Sequence, residues 1–269
     1  MKISTKIFLA LCSTALATPA LAGNILIING SSGTSEPGTT SSITTQISQL
    51  QAAVGNTVTV SDLVPTSLAG YAQVWDLRFS NSLALTASDQ AEYLSYLQGG
   101  GGMFVMGENS SFMTRNNSVL SLIAAAGGGN LGFVVPGDAQ TVVSPFTGPN
   151  AVSSIVYNAA GGFDGDGTGQ WITSNNAGTQ GSGIAFGVGT LANARAGALT
   201  TIFDVNFMQT NADANSQALT RNLIGYVGGQ VSPPGVPEPA TWALMMIGFG
   251  AVGATMRRKR VTTNVRFAA

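Results

Sequence analysis

Residues 85–109 read LTASDQAEYLSYLQGGGGMFVMGEN, and the fold class follows from them. Thr86 is placed to cap a helix, with Asp89 three residues on to complete a reciprocal cap. Leu94 and Leu97 fall on the face that such a helix buries. Four glycines stop it, and residues 103–106 (MFVM) form a short apolar run ending at Gly107. That is a helix feeding a buried strand, the unit of a parallel sheet.

The same alternation extends outward in both directions. Upstream, residues 24–29 (NILIIN) read as a buried strand running into Gly30-Ser31-Ser32-Gly33. Ile43, Ile47, Leu50 and Val54 repeat at helical spacing and stop at Gly55. Residues 57–60 alternate and are β-branched, and residues 72–77 supply a third strand. Downstream, residues 119–126 read as a helix ended by glycines. Residues 198–203 are a strand, and 215–227 form a closing helix with Leu219, Leu223 and Val227 on one side. Between them, residues 131–189 rise in Gly, Asn, Thr and Ser, with short β-like runs at 133–135, 140–143 and 154–157. This reads as an antiparallel excursion inserted into an α/β frame. The fold class expected is therefore α/β, three-layer, with a mainly parallel sheet.

Both ends of the 269-residue chain differ in character from its middle. Lys2 and Lys6 precede an apolar run at 7–17, and Ala20 and Ala22 then set a small-x-small site before Gly23. That is the layout of a secretory signal peptide over 1–22, cut by signal peptidase. At the other end, 231–239 (VSPPGVPEP) is a proline-rich linker that cannot hold a helix. Residues 240–256 carry no charge and read as a short transmembrane helix with Trp242 as an interfacial anchor. Arg257, Arg258, Lys259 and Arg260 open a basic tail over 257–269 that would stay in the cytoplasm.

Pro237-Glu238-Pro239, then Trp242-Ala243, an apolar helix and RRKR together resemble the PEP-CTERM tail in its PEPxxWA form. The resemblance implies an exosortase, a membrane-embedded cysteine protease, that cuts near Pro237, Glu238 and Pro239. It implies a precursor held transiently in the inner membrane and facing the periplasm, with a mature form released to the cell surface or matrix. Hosts of such proteins typically make exopolysaccharide, which makes that polymer a candidate partner.

The middle, 23–230, also resembles the flavodoxin-like frame of class I glutamine-amidotransferase-like domains. Residues 85–109, the glycine-ended helix after them, and GALTTIFDVNFM at 197–208 before a further helix carry that likeness. In active members the turn after the central strand bears a cysteine, completed by histidine and glutamate. Here the turn is Gly107-Glu108-Asn109-Ser110. The chain has no histidine, and its one cysteine, Cys12, lies in the leader. The resemblance thus implies the frame without glutaminase chemistry. Ser110 and Ser111 have no imidazole to take a proton.

Charge narrows the partners. Between residues 23 and 236 the basic residues are Arg78, Arg115, Arg195 and Arg221 against eleven acids, a balance of −7. An acidic, lysine-free domain argues against nucleic acid, whose binding rests on neutralising phosphates. Ligands of open α/β sheets bind beyond the carboxyl ends of the strands. That rule selects Asn29, Asp76, Arg78, Glu108, Asn109, Asp204 and Asn206 as a candidate cleft. Glu108 and Asp204 are the candidate catalytic pair, one acid and one base in the manner of glycosidases. The alternative is that all are helix caps and turn residues. Asp164, Asp166 and Thr168 stand at alternate positions of DGDGTG, the start of a calcium loop, although Asn175 holds the twelfth place where glutamate is expected. A tight polar turn is the competing reading. Gly30-Ser31-Ser32-Gly33 offers backbone N–H groups to an anion but lacks a P-loop lysine. No cofactor is expected. Three functions remain open, a non-catalytic binding or structural domain, a carboxylate-dependent hydrolase of exopolysaccharide and a calcium-stabilised adhesin.

Overall fold

The computed structural model describes residues 23–231, together with Met245, Met246, Gly248 and Phe249 of the tail. The expected signal peptide and basic cluster lie outside the described residues, as do the proline linker beyond Val231 and the expected transmembrane helix apart from those four residues. Among the described residues no helix is long and apolar enough to cross a membrane.

The first 231 residues and the tail from Ser232 onward are two separate units. Within the first, the chain runs β1 (Asn24–Ile28), α1 (Pro37–Ala53), β2 (Thr57–Ser61), β3 (Gln73–Asp76), α2 (Ala87–Gln98), β4 (Gly102–Gly107) and α3 (Met113–Ala126). Seven strands follow, β5 (Phe133–Val134), β6 (Ala139–Val142), β7 (Ser154–Val156), β8 (Gly162–Phe163), β9 (Gln170–Ser174), β10 (Gly183–Phe186) and β11 (Ala198–Phe203), then α4 (Ala214–Gln230).

Nine of the strands form one sheet in the order β2-β1-β3-β4-β11-β10-β9-β6-β7. Its first five strands are parallel and repeat the 2-1-3-4-5 order of a doubly wound sheet. The other four continue it antiparallel. The glycine-rich middle is therefore less an excursion than the second half of the same sheet. Only β5 and β8 pair apart from it, as a small second sheet.

Two cores flank the sheet. Ile25, Ile27, Trp75, Phe104 and Ile202 face one way, against Ile43 and Ile47 of α1 and Leu219 and Leu223 of α4. Leu26, Val74, Met103, Val105 and Leu199 face the other, against Tyr93 and Leu97 of α2 and Val119, Leu122 and Ile123 of α3. Successive residues of a strand point to opposite faces, so each central strand feeds both cores and is buried throughout.

Local signals account for most boundaries. Thr86 accepts from the Asp89 N–H while Asp89 reaches back to the Thr86 N–H, the reciprocal cap expected for α2. α3 ends at Gly127, whose φ of 86° is the left-handed cap conformation. Its start was misplaced: α3 begins at Met113, six residues before the periodic stretch at 119–126. Residues 113–118 (MTRNNS) have little helix propensity, and tertiary anchors hold them instead. Arg115 and Asn116 are both buried within that first part of the helix.

Candidate functional site

The seven cleft candidates do all lie beyond carboxyl ends of parallel strands, but they do not share one open edge. Strand alternation separates them. Asp76 and Arg78 continue the face of Val74, toward α2 and α3. Glu108 continues the face of Phe104 and Met106, and Asp204 that of Ile202, toward α1 and α4.

On the α2/α3 side Asp76 is wholly buried. Its carboxylate accepts from Arg78 Nε at 2.9 Å, Arg78 Nη2 at 2.8 Å and the Tyr93 hydroxyl at 2.8 Å. Arg115 Nη2 lies 3.2 Å from Asp76 Oδ2. The same arginine donates to the carbonyls of Met106 and Leu83, both at 3.1 Å. Asp89 adds a longer contact, 3.4 Å, to Arg78. Burial by itself would raise the Asp76 pKa. The neighbouring Arg115 and Arg78 charges, with bonds from Arg78 and Tyr93, overcome burial and hold the carboxyl well below the ordinary carboxylate range. Arg78 is thus not a lone cation facing a ligand. It is one of two arginines that share the buried Asp76, with Asp89 at the rim as the second carboxylate; Arg115 and Tyr93 are the members that the sequence reading missed.

On the α1/α4 side, Glu108 is 2% exposed and Asp204 is fully buried. Glu108 Oε2 accepts from the Val205 N–H at 2.9 Å, and Oε1 accepts from the N–H and side-chain amide of Asn109 at 3.1 and 3.0 Å. Asp204 Oδ1 accepts from the N–H groups of Asn206, 2.8 Å, and Phe207, 3.3 Å, while Oδ2 accepts from Asn158 at 2.9 Å. Glu108 therefore ties the end of β4 to the end of β11. Asp204 turns the chain after β11 and holds down the segment that follows β7. Asn116 secures the Glu108 backbone from below, accepting from its N–H at 2.9 Å and donating to its carbonyl at 2.7 Å.

The covering segment, residues 158–161, is tightly seated. Ala160 N–H donates to Asp138, and Gly161 N–H to the Phe203 carbonyl, both at 2.9 Å. Ala159 adopts a φ of 61°, a left-handed conformation that a residue with a Cβ rarely takes. Gly161 packs so closely on the Glu108 carbonyl that a Cβ would have no room.

Burial pushes Glu108 up to about 8, with the nearby Asp204 charge adding to it against the N–H bonds from Asn109 and Val205. Burial likewise pushes Asp204 up to about 6, opposed by its bonds from Asn158, Phe207 and Asn206. At neutral pH this is one protonated and one ionised carboxyl, the split an acid–base pair needs. What is missing is access, since each oxygen already accepts from the protein.

Asn29 and Asn206 serve turns, Asn29 by accepting from Ser31 N–H at 3.2 Å. Asn29 also lines a cleft of about 210 Å³ between the loop after β1 and α1, with Ser31, Pro37, Thr40, Ser41, Thr44 and Thr45. The Gly30–Gly33 loop does cradle an anion, and it belongs to the chain: Asp62 accepts from Ser32 N–H at 2.9 Å and from the hydroxyls of Ser31 and Ser32. Ser110 and Ser111 form an exposed 3-10 turn in which Ser111 N–H is bound by Asn109. In the DGDGTG segment Asp164 Oδ1 accepts from Gly132 N–H at 2.8 Å, and Thr168 N–H donates to the Gly128 carbonyl at 3.0 Å. That is a turn stitched to the chain around Gly128. Among the described residues no group of three His, Cys, Asp or Glu side chains is placed to hold a metal ion.

Residues 235–260 match the PEP-CTERM protein-sorting motif, a range that includes Pro237, Glu238, Pro239, Trp242 and the Arg257–Arg260 cluster. The motif marks an exported protein whose membrane-anchored precursor is processed by exosortase. No curated protein matches the chain. Among solved structures the mmIFT52 N-terminal domain superposes with a TM-score of 0.53 at 10% identity, covering 76% of this chain and 96% of that one. At such identity the likeness concerns the fold alone. The exo-beta-1,4-mannosidase Op5Man5 from an Opitutaceae bacterium gives 0.49 at 12% identity, over 78% of this chain and 36% of that one. A ThuA-like protein from Bacteroides uniformis gives 0.43 at 14% identity, over 81% and 95%. The last two superpositions are too loose to say more.

Proposed function

We propose that the chain is a surface or matrix protein whose α/β domain is a non-catalytic scaffold with the frame, but not the chemistry, of an amidotransferase-like fold. In this reading the leader over 1–22 is removed on export. The tail then holds the precursor in the inner membrane, facing the periplasm, until exosortase cuts near Pro237, Glu238 and Pro239. The mature domain joins the exopolysaccharide-rich exterior. One observation carries the scaffold reading. Glu108 and Asp204, the two carboxylates at the ends of the central strands, are buried, and each of their oxygens accepts from an N–H of the chain. The missing histidine and the lack of any cysteine outside the leader point the same way.

The test is a screen of the purified exported protein on neutral and acidic polysaccharides, reading release of reducing ends. The scaffold reading expects none.

A second reading has one observation in its favour, the split between Glu108 at about 8 and Asp204 at about 6. It makes Glu108 the general acid and Asp204 the base of a polysaccharide hydrolase, with residues 158–161 moving aside to admit substrate. Turnover that Glu108→Gln abolishes would establish it and overturn the scaffold reading.

A further inference from the structure

β2 is an outer strand of the nine-stranded sheet, and among the described residues only β1 pairs with it. Thr57 N–H donates to the Gly23 carbonyl and the Ser61 carbonyl accepts from Asn29, both at 3.0 Å. In a parallel pair alternate residues turn their backbone groups to the same neighbour, so Thr57, Thr59 and Ser61 face β1. The N–H and C=O groups of Val58 and Val60 then point outward.

Such an edge is normally blunted by charge, proline, a bulge or brevity. The opposite edge, β7, has only three residues, Ser154–Val156. β2 has five, with no charge and no proline. Its apolar side chains lie on the α1 face, where Val58 and Val60 register with the core residues Ile25 and Ile27. Val60 is nevertheless 48% exposed, and Val54 at the end of α1 is 51% exposed.

We propose that β2 is a self-pairing edge, joining antiparallel to β2 of a second copy about a two-fold axis at Thr59. The strand reads Thr-Val-Thr-Val-Ser, nearly the same in either direction. Centred on Thr59, this register sets Val58 opposite Val60 of the partner copy as hydrogen-bonded pairs, using the four outward N–H and C=O groups of each strand. Thr57 meets Ser61, and Asp62 meets Asn56 rather than another acid. The exposed valines of both copies extend the α1-side core across the joint. A second copy is the occupant because the match lies between the strand and itself.

The register makes a sharp test. Thr59 faces its own copy as a non-hydrogen-bonded antiparallel pair, with Cα atoms about 4.5 Å apart, inside the range a disulfide spans. In a Cys12→Ser background, Thr59→Cys under mild oxidation is expected to form a covalent dimer about tenfold faster or more than Val156→Cys on the opposite edge. The unmodified protein should sediment as a dimer. Thr59→Arg, which sets like charges face to face, should weaken that dimer about tenfold or more. A monomer at the highest soluble concentration would overturn the proposal. So would Val156→Cys crosslinking as fast as Thr59→Cys.

Discussion

Arg115 shows how a single side chain sets the character of this domain. It is one of four basic residues between residues 23 and 236, and two of the four, Arg78 and Arg115, are spent inside the protein around Asp76. Removing one partner of a buried ion group leaves an uncompensated charge. Arg115→Ala should therefore destabilise the fold by about 3–5 kcal/mol, read from urea unfolding. The carboxyls also dictate the pH profile. Glu108 and Asp204 hold protons in the folded state that the unfolded chain releases at lower pH, so stability falls as pH rises from about 4.5 toward 8. Asp76 acts in the opposite sense, because its depressed pKa contributes stability that is lost as pH drops below the ordinary carboxylate range. Maximal stability is thus expected near pH 4–5, with Glu108→Gln flattening the decline above it. A thermal-melt series across pH checks both. The division of candidates between two faces was not legible in the sequence, because the side that Asp76 takes relative to Glu108 depends on the register of β3 against β4, which sets Asp76 beside Val105. Nor were the partners. Arg115 and Asn116 sit in a polar stretch that reads as loop, and only packing against β4 makes it helix.

Where the sequence carries a local device, the element was legible. The Thr86–Asp89 cap, the glycine stop after α3 and the apolar runs of β1, β4 and β11 each express their own element. Thr86→Ala should cost about 1 kcal/mol of stability, measured by urea denaturation, because it removes the acceptor for the Asp89 N–H. β8, β9 and β10 were not picked out, since glycine-rich segments such as 181–186 gain their strand character from neighbours rather than from propensity. The same dependence explains why the middle looked like an insertion when it completes the sheet.

For the whole molecule, the sorting motif at residues 235–260 marks export, and the domain before it is sparsely charged. Among the described basic residues only Arg195 and Arg221 are exposed, which leaves few cations to neutralise a phosphate-rich partner. If exosortase removes the tail, protein recovered from outside the cell should have an intact mass lacking Met256 and the RRKR cluster. A surface form that retains them would refute processing. The central claim is that the strand-end carboxylates are internal ties and not reachable catalytic groups. Carbodiimide labelling of carboxyls in the folded protein, read residue by residue by mass spectrometry, tests it most directly. The account predicts modification at Glu36, Asp138 and Asp164 with Asp76, Glu108 and Asp204 protected until the protein unfolds. Labelling of Glu108 or Asp204 as fast as the exposed acids would contradict it and open the strand ends to chemistry.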